Sequence, residues 1–321
     1  TNSVDKLFFL IVVPGLRSVN ILLDATWSQD GITVAGGNEQ GSSFDQFFSP
    51  EGLYADENGT IYVADMNNNR IMMWRPNAKS GQQAVGGQGQ GGGLNQLFWP
   101  TDVILDKNND SLLICDSGNR RIVRWPRCGG TIGVEIISGV SCFSMTMDAE
   151  GNLYICSKNE NMVRRWKIGE KNGIVVAGAN GQGDSLDQLN RPSYIFIDRE
   201  HSIYVSDTDN DRVMKWMQNA EEGIVVAGGQ GKGNDLAQLS CPQGILVDQW
   251  GSVYVADHGN DRIMRWQKGA KQGSIIAGGN DRGEAENQLC GPSSLSFDSR
   301  GNLYVVDAGN HRIQRFKIDT F

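Results

Sequence analysis

Five times along this chain an aspartate is followed five residues later by an arginine. The pairs are Asp65 and Arg70, Asp116 and Arg121, Asp207 and Arg212, Asp257 and Arg262, and Asp307 and Arg312. A carboxylate beside a guanidinium can serve acid–base chemistry, hold a metal with other acids, or form an ion pair. Five equivalent copies cannot all be one active site, so the pattern predicts structural ion pairs. Asn68, Asn119, Asn210, Asn260 and Asn310 stand between the partners, where asparagine tolerates a turn conformation. One segment departs from the pattern, with Ser157, Glu160 and Met162 in the three places. Both charged partners are missing together, as expected when the loss of one member of a buried pair costs about 3–5 kcal/mol.

Other residues with chemical potential lack the company they need. Asp207-Thr-Asp209-Asn-Asp211 begins like a calcium loop, but Arg212 stands in the sixth place and Gln218 in the twelfth. Both the turn glycine and the bidentate glutamate of such a loop are therefore missing. The glycine runs Gly86–Gly93 and Gly228–Gly233 lead into Pro-led strands, whereas a phosphate loop needs a helix N-terminus behind it. There are three histidines, His201, His258 and His311. His201 falls on a different kind of turn from the other two, so they do not converge on one zinc. No Ser-His-Asp or Cys-His set stands out. The reading is a non-enzyme with no cofactor and no metal.

These residues sit on a repeat. Trp74, Trp125, Trp166, Trp216, Trp266 and Phe316 recur at intervals of 51, 41, 50, 50 and 50 residues. A fixed period of this length marks a repeat architecture. One unit reads Pro242–Asp248, Val253–Asp257, Arg262–Trp266 and Gly273–Gly279, four short runs rich in Val, Ile, Tyr and Trp separated by Gly, Asn and Asp. Such runs are strands and tight turns; in this order we name them A, B, C and D. Six units of four strands predict an all-β, six-bladed β-propeller. Gly31–Gly37 is a D strand with nothing before it, and residues 292–318 supply A, B and C strands with nothing after them. The N-terminal strand is therefore expected to close the ring beside Arg312–Lys317, which removes a free edge.

The unit resembles an NHL repeat. Gly301-Asn-Leu-Tyr-Val-Val followed by Asp307-Ala-Gly-Asn-His-Arg-Ile carries the likeness, and Asp65–Ile71, Asp116–Ile122, Asp207–Val213 and Asp257–Ile263 repeat it. The resemblance covers about residues 31–318. Kelch repeats space their Gly, Tyr and Trp more closely, and the Trp-Asp dipeptide of WD40 repeats does not occur at a strand end. Propellers similar to this one act as extracellular interaction or sensor domains, as substrate-recognition modules of ubiquitin ligases, in some cases as RNA binders, and in a related case as a zinc-dependent peptide-amidating lyase. Fold alone does not choose among these. The ligase reading needs a zinc-binding domain that this chain does not encode.

Composition narrows the choice. With 29 Lys and Arg against 37 Asp and Glu, the net charge is −8, which argues against nucleic acid as a partner. No run is long enough to span a membrane. Residues 1–30 read as an N-terminal segment, either signal-like around Lys6–Gly15 or an appended piece on the propeller, and 31–321 as one propeller. Asn58-Gly-Thr60 and Asn109-Asp-Ser111 are glycosylation sequons in A–B turns. Cys115 and Cys156 read as small buried residues; Cys241 and Cys290 are disulfide candidates; Cys128 and Cys142, at opposite ends of a D strand, are not expected to pair with each other. Localisation reads as secreted, with the cytoplasm as the alternative.

Because the strands alternate in direction, the D–A and B–C loops share one face. That face presents Phe48, Trp99, Asn190, Arg191, Asp209, Asp211, His258 and His311, with Asp102, Tyr194, Gln243 and Ser293 around the channel mouth. The D–A loop entering blade 3, Ile137–Cys142, is about ten residues shorter than the others and leaves a notch. The expectation is a monomeric propeller that binds a protein or peptide over this face.

Overall fold

A computed structural model describes residues 21–128 and 130–319. The short β-branched and aromatic runs form strands β1 to β24, and the Gly-, Asn- and Asp-rich intervals form the turns between them. Strand β1 (Ile32–Gly36) comes first. Blade 1 is β2 to β5 (Pro50–Ala55, Ile61–Asp65, Arg70–Trp74, Gln82–Gly86). Blade 2 is β6 to β9 (Pro100–Asp106, Ser111–Asp116, Arg121–Pro126, Val134–Ser138). Blade 3 is β10 to β13 (Ser144–Met147, Asn152–Ser157, Met162–Lys167, Ile174–Ala177). Blade 4 is β14 to β17 (Ile195–Ile197, Ile203–Asp207, Arg212–Trp216, Ile224–Gly228). Blade 5 is β18 to β21 (Pro242–Val247, Val253–Asp257, Arg262–Trp266, Ser274–Gly278). Blade 6 takes β22 (Pro292–Phe297), β23 (Leu303–Asp307) and β24 (Arg312–Phe316), and borrows β1 as its outer strand.

The six antiparallel sheets form a ring. Each A strand contacts the A strands on both sides, from β2 round to β22 and back to β2, so the A strands surround the central channel. The ring closes where β1 pairs with β24, Ile32 opposite Arg315 and Gly36 opposite Arg312. Six apolar clusters fill the spaces between blades. The indoles that mark the repeat lie against glycines at the start of the D strands. A Cβ on Gly81 would come within 2.7 Å of the Trp74 ring, and Gly273 stands to Trp266 in the same way. Close approach of a large ring is one reason a strand tolerates glycine.

Residues 21–30 pack on the propeller. Ile21, Ala25 and Trp27 are buried with Tyr254, Phe297 and Phe316. The Lys6–Gly15 run lies outside the described residues. Among the described residues no helix is long and apolar enough to cross a membrane.

The cysteine expectations need correction. Cys115 is disulfide-bonded to Cys142, with Cα atoms 5.6 Å apart, whereas Cys241 and Cys290 are free. The short connection into blade 3 explains the bond. It brings Cys142 directly to the start of β10, whose neighbouring strand β6 pairs Asp102 with Cys115. Cys241 and Cys290 stand one and two residues before their prolines, out of register with each other. Cys290 tucks under its own B–C turn, its carbonyl accepting from Gly309 N at 2.9 Å.

Candidate binding site

The loops of the D–A face are held by the charged trios. In blade 1, Arg70 Nε donates to Asp65 Oδ2 at 2.7 Å. Its other nitrogens donate to the loop carbonyls of Ser42 (2.7 Å), Ser43 (2.9 Å) and Gln46 (3.1 Å). Asp65 Oδ1 accepts from Phe48 N at 2.8 Å, and Asn68 bridges Asp65 and Gly41. Arg121, Arg212, Arg262 and Arg312 repeat the contact with Asp116, Asp207, Asp257 and Asp307, each at 2.7 Å. These arginines therefore fasten each long D–A loop onto the blade it enters. Blade 3 is entered by residues 139–143 alone, and has no such loop to fasten. There Glu160 pairs instead with Arg164 at 2.5 Å.

Several face residues are committed to this scaffold. Phe48 is half-buried. Asn190 N donates to Asp207 Oδ1 at 2.6 Å and its Oδ1 accepts from Gln182 Nε2 at 2.8 Å. Asp211 Oδ1 accepts from Cys241 N at 2.8 Å, which ties blade 4 to blade 5. Asn69 does the same for Trp99 N at 3.0 Å, and Asn161 for Arg191 N at 2.7 Å. The side chains carried by those tethered amides stay open. Trp99 is 51% exposed, and Arg191 is exposed with Nη1 3.5 Å from Asp209 Oδ2. His311, at a positive φ of 50°, has Nδ1 buried without a partner.

The channel mouth gathers a second group. Hydroxyls lock neighbouring blades together there: between A strands, Ser144 Oγ donates to Ser193 O (2.7 Å) and Ser293 Oγ to Glu51 O (3.0 Å), and from strand B of blade 4, Ser206 Oγ donates to Gln243 O. Asp102 accepts from Val103 N on one oxygen and from Met145 N on the other, both at 2.9 Å, joining blades 2 and 3. Below, Leu53, Met145, Ile195, Ile245 and Leu295 form an apolar throat around a cavity of about 90 Å³ that Tyr194 and Asp102 also line. Tyr194 is 6% exposed, and its hydroxyl lies near Ser294 but outside hydrogen-bond geometry. Gln243 Oε1 is also buried without a partner.

Two mouth residues escape the sequence reading. Glu51 stands where blades 2, 4, 5 and 6 have Thr101, Ser193, Gln243 and Ser293, and Lys158 begins the B–C turn of blade 3. Glu51 keeps access to the channel while protein surrounds it. That burial pushes its carboxyl up to about 7, against the pull of Lys158 and with help from Asp102. Burial also lowers Lys158, offset by Glu51. The Lys158 ammonium lies 4.3 Å from the Phe143 ring centroid, and Phe143 meets Tyr194 edge-on at 5.7 Å. His258 Nδ1 lies 3.2 Å from Pro292 O, and burial lowers its pKa. The usable signal was asymmetry: a charge at a position where the other blades carry small polar residues. The mouth thus offers a desolvated acid, a desolvated ammonium, an aromatic wall and unpartnered polar atoms above an apolar throat.

On the opposite face, Asp148, Glu150 and His201 approach one another, His201 Nδ1 lying 3.9 Å from Asp148 Oδ2. Both Asp148 oxygens already accept hydrogen bonds from Asn152, and Oδ2 also from the Tyr154 hydroxyl.

The profile of the NHL repeat matches residues 47–71 and 289–316. No curated protein matches the chain. Among solved structures, a protein of unknown function from Bacteroides thetaiotaomicron is 15% identical, with TM-score 0.71 over 91% of this chain and 76% of the other. An auxiliary nutrient binding protein from the same organism is 15% identical, with TM-score 0.69 over 92% and 77%. A gluconolactonase from Xanthomonas campestris is 13% identical, with TM-score 0.61 over 96% and 99%. Likeness at these identities is likeness of fold, and it spans a binding protein and an enzyme alike.

Proposed function

This chain is an NHL-repeat six-bladed β-propeller, and on that premise we propose that it is a non-catalytic binding module for a protein or peptide ligand. The ligand sits on the D–A and B–C face and inserts a side chain at the channel mouth. The observation that carries this reading is the Tyr194 hydroxyl, buried and unpartnered at the top of the throat. An unsatisfied buried polar group costs about 1–3 kcal/mol, which an incoming partner recovers. Glu51 and Lys158 add a charge of each sign beside it, so an inserted side chain with both donor and acceptor atoms is met on both sides. Trp99 and Arg191 on the rim are the residue types that anchor interfaces.

A secreted setting is the reading we favour. The Cys115–Cys142 disulfide supports it, because such bonds persist in oxidising compartments. Asn58 and Asn109 are both exposed on A–B turns, on the face away from the proposed site.

The test is a peptide selected from a random displayed library on the native protein. Trp99→Ala and Arg191→Ala each weaken its binding by about tenfold, an interface contribution of ordinary size, with the melting temperature unchanged. A lower melting temperature with unchanged affinity would make both residues structural and remove the rim from the site.

A further inference from the structure

On the A–B and C–D face the chain fills one of its own grooves. Between blades 5 and 6, the Trp27 ring stacks on Phe297 at 5.9 Å and stands edge-on to Tyr254 at 5.7 Å. Its Nε1 donates to Gly301 O at 2.9 Å. Arg265 holds the backbone of the same segment, Nη1 donating to Ala25 O at 2.9 Å and Nη2 to Leu23 O at 2.6 Å. Three of the groups that seat the segment belong to the repeat, a tyrosine on strand B, an arginine opposite it on strand C, and a turn carbonyl from the next blade; Phe297, Gln249, Trp250 and Gln267 add contacts particular to this groove.

The adjoining groove, between blades 6 and 1, repeats these three, with Ala55 in the place of Phe297. Tyr304 and Arg315 face each other across β23 and β24 as Tyr254 and Arg265 do across β19 and β20. Gly59 occupies the turn position of Gly301. Here no described segment fills the space. A cavity of about 470 Å³ remains, lined by Tyr304, Arg315, Gly59, Ile32 and Trp74, with the Pro76–Lys79 turn as its outer wall. Ile32 is 46% exposed, and Arg315 Nε is buried without a hydrogen-bond partner, as Arg265 Nε is in the filled groove. The groove between blades 3 and 4 keeps Tyr154 and Arg165 but places His201 at the glycine position, so it matches less well.

We propose that the groove between blades 6 and 1 docks a segment of a partner protein that makes the same tight turn and tryptophan insertion as the chain's own Leu22–Trp27, where Ala25 N donates to Leu22 O at 3.0 Å. Arg315 takes two of its backbone carbonyls, Ile32 covers its apolar side chains, and the Gly59 carbonyl accepts from a tryptophan indole. The surface lies on the face opposite the channel mouth and does not depend on the function proposed for it.

The probe is a fluorescein-labelled peptide with the sequence of residues 21–28, titrated against the intact chain and followed by anisotropy. One saturable site with a Kd below about 1 mM is expected, the range of weak peptide docking. Arg315→Met weakens it by about tenfold, as loss of charge-assisted hydrogen bonds does, and Arg165→Met leaves it unchanged. Ile32→Glu, an exposed substitution that spares the fold, weakens it as well. Absence of saturation at about 1 mM, or equal affinity for the native protein and both the Arg315→Met and Ile32→Glu variants, overturns the proposal. So does loss of binding in Arg165→Met alone, which would place the peptide between blades 3 and 4.

Discussion

Arg121 Nε donates to Asp116 Oδ2 at 2.7 Å, and the same guanidinium donates to the carbonyls of Gly92, Gly93 and Gln96. The pair is thus one end of a clamp on the loop that enters blade 2. This alters what its removal does. Asp116→Ala leaves the buried guanidinium with only the half-exposed Glu135 carboxylate, at 3.8 Å, and costs about 3 kcal/mol. The double variant Asp116→Ser with Arg121→Met copies Ser157 and Met162 of blade 3, where no long loop exists. In blade 2 it still costs about 2 kcal/mol or more, because three carbonyls and the Phe98 amide lose their partners. Equilibrium unfolding in urea measures both; a double variant as stable as the native protein would reduce the clamp to a simple ion pair.

The Cys115–Cys142 bond fixes the shortened entry to blade 3. Alkylation of the denatured, unreduced protein should label Cys128, Cys156, Cys241 and Cys290 and leave the other two unmodified. Cys142→Ala lowers stability by about 2–4 kcal/mol, the usual contribution of a bridge closing a loop of this size. Labelling at Cys115 would contradict the pairing.

Glu51 gives the stability a pH dependence of definite sign. Its carboxyl titrates near 7 in the folded chain and near the ordinary 4.5 when unfolded. Between those values the folded state holds a proton that the unfolded state has released. This contribution to stability is complete below about pH 4.5 and is lost as pH rises through about 7. Glu51→Gln removes it. The variant should match the native protein near pH 4.5 and exceed it at pH 8 by something on the order of 2 kcal/mol, less whatever channel water screens. Urea midpoints across that range decide it, and parallel profiles for the two proteins would mean that Glu51 is solvated.

Most of the fold is legible in the sequence because it is written six times. The 50-residue beat reflects the packing of Trp74 on Gly81 and of Trp266 on Gly273, a contact each blade must make. The closing strand is legible because Ile32–Gly36 has no A strand before it. The site is legible only in outline, since whatever distinguishes one blade is averaged away when blades are compared for what they share. Glu51 and Lys158 are such departures, and each acquires meaning only when the ring sets blade 1 and blade 3 around one channel. The disulfide was missed for a related reason. Opposite ends of a repeat look remote in sequence register, and the short connection that brings Cys142 to Cys115 is a local deletion.

The most direct measurement of the central claim is the affinity of a library-selected peptide for Tyr194→Phe and Lys158→Ala, set against Glu150→Gln on the far face. We predict that the two mouth variants each lose about tenfold or more in affinity, the scale of a buried hydrogen bond or charge contact, while Glu150→Gln binds as the native protein does. Equal affinity for all four proteins would contradict the account and take the ligand off the channel mouth.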